Sequence, residues 1–426
     1  LALARNVIND MGSENLLSDK AFVWWWDNSG VWRKREDRSV RQWVQSSLDD
    51  TQEVTKSLVD SVSDLFKTDI YSPDHKFDVG PPECVNTETG EVYLNEYGNW
   101  DLMPHEREHY RTTQIPVEYN VKADAPKFEK FLAQVFKGDH DASDKARAVL
   151  EMMGYSLMAH CRHERFIVLV GSGSNGKSVL LYLLEALCGA DNVAGVQPSQ
   201  FDRPFQRAHL HGKLANIVTE VKQGEVIDDA SLKGIVSGEP TTVEHKNKDP
   251  FQMRPFATCW FGTNHMPHTR DFQDAFFRRA LVVQFNNQFK VEHGNCDPDL
   301  KEKLFEELPG ILNLALDAYA NAVKVGFTMP ASSQQAREDW RLEADQVAQF
   351  VEHECEQVTD AKVKPQPLYD AYKDWARDNG IRLTVSQPNF KERLKVLGFD
   401  NRKSNGVRYY FGIKCRKAVD FERITD

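Results

Sequence analysis

Nowhere in this sequence do two cysteines form a C-x-x-C pair. The seven present, at 84, 161, 188, 259, 296, 355 and 415, are scattered and odd in number. That spacing argues against zinc ribbons, zinc fingers and a disulfide framework, and reads as reduced thiols in a cytosol-like compartment. Long apolar runs are missing too. Those that exist, such as Phe166 to Val170, are strand-sized, so no membrane span is expected. The N-terminus, LALARNVIND, has neither a starting Met nor the hydrophobic stretch of a signal peptide, and the expectation is a fragment or processed chain. Positive charge is not in excess, since 53 Lys and Arg face 64 Asp and Glu for a net −11. This excludes a protein coated in basic residues but not a local basic surface that meets phosphates. Internal repeats and low-complexity tracts are also absent. What remains is an ordinary soluble composition, long enough at 426 residues for about three domains.

Periodicity divides the chain. Residues 1–125 mix short strands, turns and helix, and read as an N-terminal α+β domain. Within it FVWWWDNSGVWRK (22–34) is a hairpin around Asp27-Asn-Ser-Gly30, its aromatic strands facing a core more readily than stacking on bases. Residues 39–67 follow as helix, and 81–94 as turn, strand, turn, strand. Residues 126–164 are helical, with Phe128, Phe131, Leu132, Val135 and Phe136 on one stripe, a packed layer or a collar between subunits. Residues 165–325 alternate: strands at 166–170, 214–218, 256–261 and 280–285 are separated by helical stretches, the pattern of an α/β sheet. GFTMPASSQQ (326–335) reads as a linker into a smaller C-terminal domain, residues 326–426 being one unit.

The chemistry concentrates in VLVGSGSNGKSVLLYLLEALCG. A strand runs into Gly171-Ser172-Gly173-Ser174-Asn175-Gly176-Lys177-Ser178, and an apolar helix follows. The glycines let backbone N–H groups point at phosphate oxygens, and the helix N-terminus adds its dipole. Lys177 is expected to reach the β- and γ-phosphates of ATP or another nucleoside triphosphate, and the Ser178 hydroxyl to ligate Mg²⁺. KLANIVTEV then supplies a strand ending in Glu220, a carboxylate that orients the lytic water and holds Mg²⁺ through its water shell. Thr219 stands where a second acid is common, so metal contact through this strand end is expected to be indirect. ATCWFGTN places Asn264 to bond the γ-phosphate or the water. In DAFFRRALVVQF, Arg278 and Arg279 precede a strand, where one of them reaches a neighbouring subunit's nucleotide in trans. The rival reading is a surface Arg pair in salt bridges. Nothing local chooses between the two arginines; Arg279 is favoured.

GSGSNGKS, the Glu220 strand, SLKGIVSGEPTTVEHKNKDP, the strand ending FGTN, and AFFRRALVVQF, in this order and tight spacing, resemble superfamily 3 helicases. The likeness is to the primase-helicases of phages, plasmids and large DNA viruses. VYLNEYGNWDLMPHEREHYRTTQIPVEYN followed by PKFEKFL resembles the accessory domain before such a motor. The resemblance implies an AAA+-like core in a hexameric ring that moves on single-stranded and forked DNA, typically 3′ to 5′. It implies an upstream primase-polymerase domain outside this chain, and a host-cell cytoplasmic location for a phage or plasmid protein. It also implies a DNA-gripping hairpin at Thr241–Lys248, with His245, Lys246 and Lys248 meeting DNA; the bland alternative for a K-N-K run is a solvated turn.

In the C-terminal domain, PLYDAYKDWARDNG and SQPNFKERLKVLGF read as two helices, and NRKSNGVRYYFGIK as a hairpin turning at Asn405-Gly406. That is a winged-helix order. Residues 381–417 hold ten Lys or Arg against two acids. The basic helix (Lys391, Arg393, Lys395) and wing (Arg402, Lys403, Arg408) are a DNA footprint, with protein docking as the alternative. Two motifs are declined. HEREH (105–109) matches H-E-x-x-H, but the chain turns extended within a few residues and no third ligand is evident. His160-Cys161-Arg162-His163 reads as a packed or exposed pair rather than a metal site. The sequence therefore points to an ATP- and Mg²⁺-dependent DNA helicase motor. An AAA+ initiator that melts DNA without processive unwinding and an ATP-gated DNA-binding platform are the rivals.

Overall fold

The computed structural model describes the chain except residues 49–52, 223–224, 247–248, 270–273, 291, 293–294, 380, 382–383, 417–420 and 424–426. Two compact units emerge, one of residues 1–267 and 279–334 and one of 268–278 and 335–426.

The first unit begins with α1 (Ala2–Met11) and an antiparallel sheet of β1 (Leu16–Ser18), β2 (Val23–Trp26) and β3 (Trp32–Arg35), then α2 (Asp37–Ser46) and α3 (Lys56–Asp69). The expected hairpin forms, Trp26 pairing with Trp32. Trp24, Trp26 and Trp32 are buried in a common cluster, so these rings are core. Thr55 caps α3 by accepting from the Leu58 N–H at 3.2 Å, which satisfies one of the helix's orphan donors. A second antiparallel sheet holds β4 (Cys84–Asn86), β5 (Glu91–Leu94) and β6 (Trp100–Met103). Helices α4 (Pro126–Val135) and α5 (Ala142–Tyr155) follow, Phe128, Phe131, Leu132 and Val135 facing inward as their spacing predicts.

The central element is a parallel sheet of five strands. After β7 (Phe166–Val170) come α6 (Lys177–Cys188), β8 (Val193–Ala194), α7 (Pro204–Arg207) and β9 (Ala215–Val218). Next are α8 (Asp229–Val236), a separate two-stranded hairpin β10 (Thr241–Val243) and β11 (Phe251–Met253), then β12 (Thr258–Thr263). Beyond α9 (Asp274–Phe277), β13 (Ala280–Gln284) completes the sheet, whose order is β13-β7-β12-β9-β8. Every residue of β9 and β12 is buried, as expected where helices cover both faces of a parallel sheet. On α6, Leu180, Leu181, Leu183, Leu184 and Leu187 are all buried, each adding roughly 1.5–3 kcal/mol relative to an exposed position.

Helices α10 (Leu300–Phe305) and α11 (Leu308–Val325) close this unit. A Cβ at Gly154 of α5 would stand 2.2 Å from the Ala315 carbonyl and 2.6 Å from Tyr319 Cβ of α11, so the helices approach this closely only over a glycine. The stretch expected as a linker is in fact docked. Thr328 donates its N–H and hydroxyl to Glu151, both at 2.7 Å, and the Ser332 N–H donates to Asp141 at 2.7 Å. Two buried carboxylates needed donors, and this segment supplies them.

The chain continues through α12 (Ala331–Ala344) and α13 (Gln346–Glu354), β14 (Cys355–Val363), α14 (Pro365–Asp378), α15 (Gln387–Val396), β15 (Asn401–Ser404), β16 (Val407–Cys415) and β17 (Phe421–Arg423). In the second unit Phe276 and Phe277 meet Trp340 edge-on, with ring centroids 5.5 and 5.3 Å apart. The hairpin expected at Asn405-Gly406 joins β15 to β16, with φ of 50° and 79° at the two turn residues, the doubly positive pattern of a tight hairpin. Sequence reading missed β14, which pairs with both β16 and β17. Its residues, CEQVTDAKV, are largely polar and lack regular alternation, so only its partners make it a strand.

Candidate nucleotide site and DNA-facing surfaces

Register brings the functional segments to one edge. Val170 is level with Thr263 and with Gln284, and Val218 with Phe261, so β7, β12 and β9 end together. The Val221 N–H donates to the Gly262 carbonyl at 2.8 Å, which places Glu220 beside the end of β12. A Cβ at Gly262 would stand 2.4 Å from the Thr219 carbonyl, so these strand ends approach closely only because residue 262 has none. Asn264 follows immediately, exposed, on a turn in which the His265 N–H donates to the Thr263 hydroxyl at 3.2 Å. Ligands of open α/β sheets bind at this carboxyl edge.

The loop from Gly171 to Gly176 fills the same edge. Gly173 (φ 98°), Ser174 (φ 50°) and Gly176 (φ 92°) turn the backbone into a concavity of the kind that cradles anions. No side chain caps α6, which leaves its first amides directed at the loop's interior. Lys177 is buried and donates to the Gly171 carbonyl (2.7 Å) and to Asn175 Oδ1 (3.0 Å). Burial lowers its pKa, and the Glu220 carboxylate acts in the opposite direction. Asn175 donates onward to the Phe285 carbonyl at 3.3 Å. The Phe289 N–H donates to the Ser174 carbonyl at 2.6 Å, and the Gln288 amide to the Ser172 hydroxyl at 2.9 Å. Residues 285–289 thus brace the loop, which nothing in their own sequence announces. Ser172, Ser174, Ser178 and Glu220 are exposed. A hydroxyl and one carboxylate are hard oxygen donors, a set that suits Mg²⁺ with water completing its shell.

The arginine pair separates. Arg279 donates to Glu164 Oε2 at 2.5 Å and to the Ser237 hydroxyl at 3.2 Å, within its own subunit. Arg278 is exposed, its N–H closing the turn of α9 onto the Asp274 carbonyl at 2.9 Å. Of the two, Arg279 is the one engaged within this chain and Arg278 the one left exposed.

The hairpin of β10 and β11 has Val243 and Met253 buried beneath it. Lys246 is exposed, whereas Lys248 lies outside the described residues. His245 is half-buried and stacks on Phe251 (5.5 Å, 23°), so it belongs to the stem. Short helix α7 lies beside β10, and Arg207 donates to the Thr242 carbonyl at 3.3 Å. It leaves Arg203 and Phe205 exposed, residues that sequence reading did not single out.

In the C-terminal unit Lys391, Lys395, Arg402, Lys403 and Arg408 are exposed. Lys403 and Arg408 sit directly opposite each other across β15 and β16, a like-charge pairing that is itself unfavourable. Arg393 is a correction. It is buried and gripped by Asp345, to which Nε donates at 2.5 Å, while Asp345 also caps α13 through the Ala348 N–H at 3.0 Å. The helix face carrying Arg393 points to the core, and its charge is spent there. Arg393→Ala, by leaving Asp345 buried and uncompensated, is expected to cost about 3–5 kcal/mol in urea unfolding of this unit, and an unchanged midpoint would contradict the pairing.

The HEREH stretch is a 3-10 turn at Arg107–His109 rather than an α-helix. His105 faces the Thr87 carbonyl at 2.9 Å and His109 faces Glu91 at 2.9 Å, so the two imidazoles do not share a helix face. Similarly, His160 meets Glu83 at 3.0 Å and His163 the Tyr319 hydroxyl at 3.2 Å, a packed cluster.

Comparison with known proteins gives three family matches: D5 N terminal like over residues 6–137, a family of unknown function (DUF5906) over 169–279, and poxvirus D5 protein-like over 342–426. Two curated relatives are "Putative helicase L207/L206" of Acanthamoeba polyphaga mimivirus, 24% identical over 57% of this chain, and "Putative helicase 022R" of Frog virus 3, 23% identical over 51%. The chain spans about a quarter of the length of these relatives, 28% and 25% respectively. Among solved structures, an apo form of the NrS-1 C-terminal region matches with a TM-score of 0.53 at 13% identity, covering 95% of this chain and 98% of that one. Another apo structure of that region matches with a TM-score of 0.53 at 12% identity, covering 96% and 98%. At these identities the likeness is one of fold.

Proposed function

We propose, since the chain belongs to the primase-helicase family of phages and large DNA viruses, that it is the ATP-driven DNA motor of a replication protein. One observation carries the reading: the loop at 171–176, Glu220 and Asn264 meet at a single edge of the parallel sheet. Backbone amides of the loop and of α6 hold the phosphates. Lys177 exchanges the Gly171 carbonyl and Asn175 for the β- and γ-phosphates, a short swing of an ammonium already aimed into the loop. Ser178 would ligate Mg²⁺ and Glu220 would hold its water shell; the metal, when bound, would neutralise charge developing on the phosphates. Glu220 also takes the proton of the attacking water, and Asn264 fixes that water or a γ-phosphate oxygen. Arg278 acts from the neighbouring subunit of a ring, a hexamer by family likeness. Lys246 meets the strand in the pore, at the end of a hairpin whose stem holds His245. The C-terminal unit is read as a winged helix whose Lys391, Lys395, Arg402, Lys403 and Arg408 contact DNA backbone.

The test is ATP-driven unwinding of forked duplexes with either a 3′ or a 5′ loading tail, with Arg278→Ala and Arg279→Ala beside the wild type. Unwinding from the 3′ tail only, lost in Arg278→Ala, is the expected result. DNA-stimulated ATPase that melts only a short duplex would favour an initiator instead. If Arg279→Ala removed catalysis while Arg278→Ala did not, the assignment of the trans arginine would be wrong.

A further inference from the structure

The hairpin that the motor reading assigns to DNA is physically fragile. Its strands have three residues each and form a two-stranded sheet of their own, which is marginal in water without external support. Val243 and Met253 anchor it from beneath, and Arg207 holds Thr242. At the end nearest Lys246 the support comes from more than two hundred residues away along the chain. Phe22, just before β2, packs edge-on against both His245 (5.9 Å, 75°) and Phe251 (5.9 Å, 85°). The same ring stacks on His211 (5.5 Å, 23°), which also meets Phe251 edge-on (5.1 Å, 61°). Lys34 of β3 completes the cluster. Its ammonium lies 4.7 Å from the Phe22 ring centroid and donates to His211 Nδ1 (2.9 Å) and carbonyl (3.3 Å). Burial, then the charges of Lys34 and His245, push the His211 imidazole down to about 3, so it is neutral and able to accept from Lys34.

We infer that Phe22 and Lys34 of the N-terminal domain are positioning residues for DNA binding, holding the stem of the β10–β11 hairpin so that Lys246 meets the strand. The inference rests on the motor reading of that hairpin and adds a task for the first domain. Edge-to-face and stacked ring pairs are geometrically specific, so this cluster fixes the direction of the hairpin as well as its stability. The partners that carry the cluster, His211, His245 and Phe251, lie outside the nucleotide loop, and the latch leaves DNA-free ATP turnover alone.

The experiment measures ATP turnover against single-stranded oligothymidine concentration for the full 426-residue chain. Phe22→Ala should raise the DNA concentration for half-maximal stimulation about fivefold to tenfold, with DNA-free turnover unchanged. Phe22→Tyr, which keeps the ring, should restore it. Phe22→Ala combined with His245→Ala should be no weaker than His245→Ala alone, since both remove one path. An unshifted half-saturation in Phe22→Ala, a proportional loss of DNA-free turnover, or additive losses in the double variant would each overturn the inference. If Phe22→Ala does not fold, Phe22→Leu is held to the same criteria. Lys246→Ala separates the two levels. A normal DNA response there removes the hairpin reading and the latch with it, whereas a weakened response beside a normal Phe22→Ala removes the latch alone.

Discussion

Lys177→Ala is expected to lower ATP hydrolysis by about a hundred- to a thousandfold, with DNA-stimulated turnover lost to the same extent. The ammonium is buried in the mouth of the loop, where charge is poorly screened and its attraction for phosphate oxygens is strong. Desolvation there lowers its pKa, and a triphosphate would act against that by adding negative charge to that of Glu220. Alanine also leaves the Gly171 carbonyl and Asn175 without their shared donor, so the loop loses part of its shape as well as its charge. Lys177→Arg should not rescue, because a planar fork does not fit a pocket shaped around a compact ammonium. The check is phosphate release at saturating ATP with a thermal melt alongside. Turnover within tenfold of wild type in a folded variant would exclude this loop as the catalytic site.

Glu220→Gln should separate binding from hydrolysis. The side chain is exposed at the strand end and forms no part of the core, so the fold and the loop should survive the change. The amide keeps the shape and loses the base, for which a fall in turnover of about 10²–10⁴-fold is expected with ATP affinity nearly retained. Affinity measured by a fluorescent ATP analogue, set against steady-state turnover, tells the two apart. A variant that still hydrolyses ATP normally would move the base elsewhere. If DNA-dependent function also survived, the chain would be a nucleotide-gated DNA-binding platform rather than a motor. Thr219 makes this result more informative, because no second acid on the strand can substitute for Glu220.

Much of this was legible in the sequence. The loop at 171–176 and the helix after it were readable because their conformation is local, set by glycines at fixed spacing before an apolar run. The strands at 166–170 and 280–285 were readable because burial on both faces requires a continuous apolar run. The turn at Asn405-Gly406 was readable because few residue pairs accept two positive φ angles in succession. β14 was hidden by its polar composition, and the supposed linker by two carboxylates that lie far from it in sequence.

The sequence by itself determined which residues are candidates for a nucleotide and in what order most of the strands and helices come. Only the tertiary structure decided which of them meet. Inserting β12 between β7 and β9 is what brings Asn264 and Glu220 to the loop. Arg279 pairs with Glu164 while Arg278 stays exposed, Arg393 is buried against Asp345, and Phe22 reaches His245 across the first unit. The reason is physical. Backbone preferences and hydrophobic periodicity act between near neighbours in sequence, whereas strand order and the fate of a charge depend on which distant surfaces face each other once water has been removed between them.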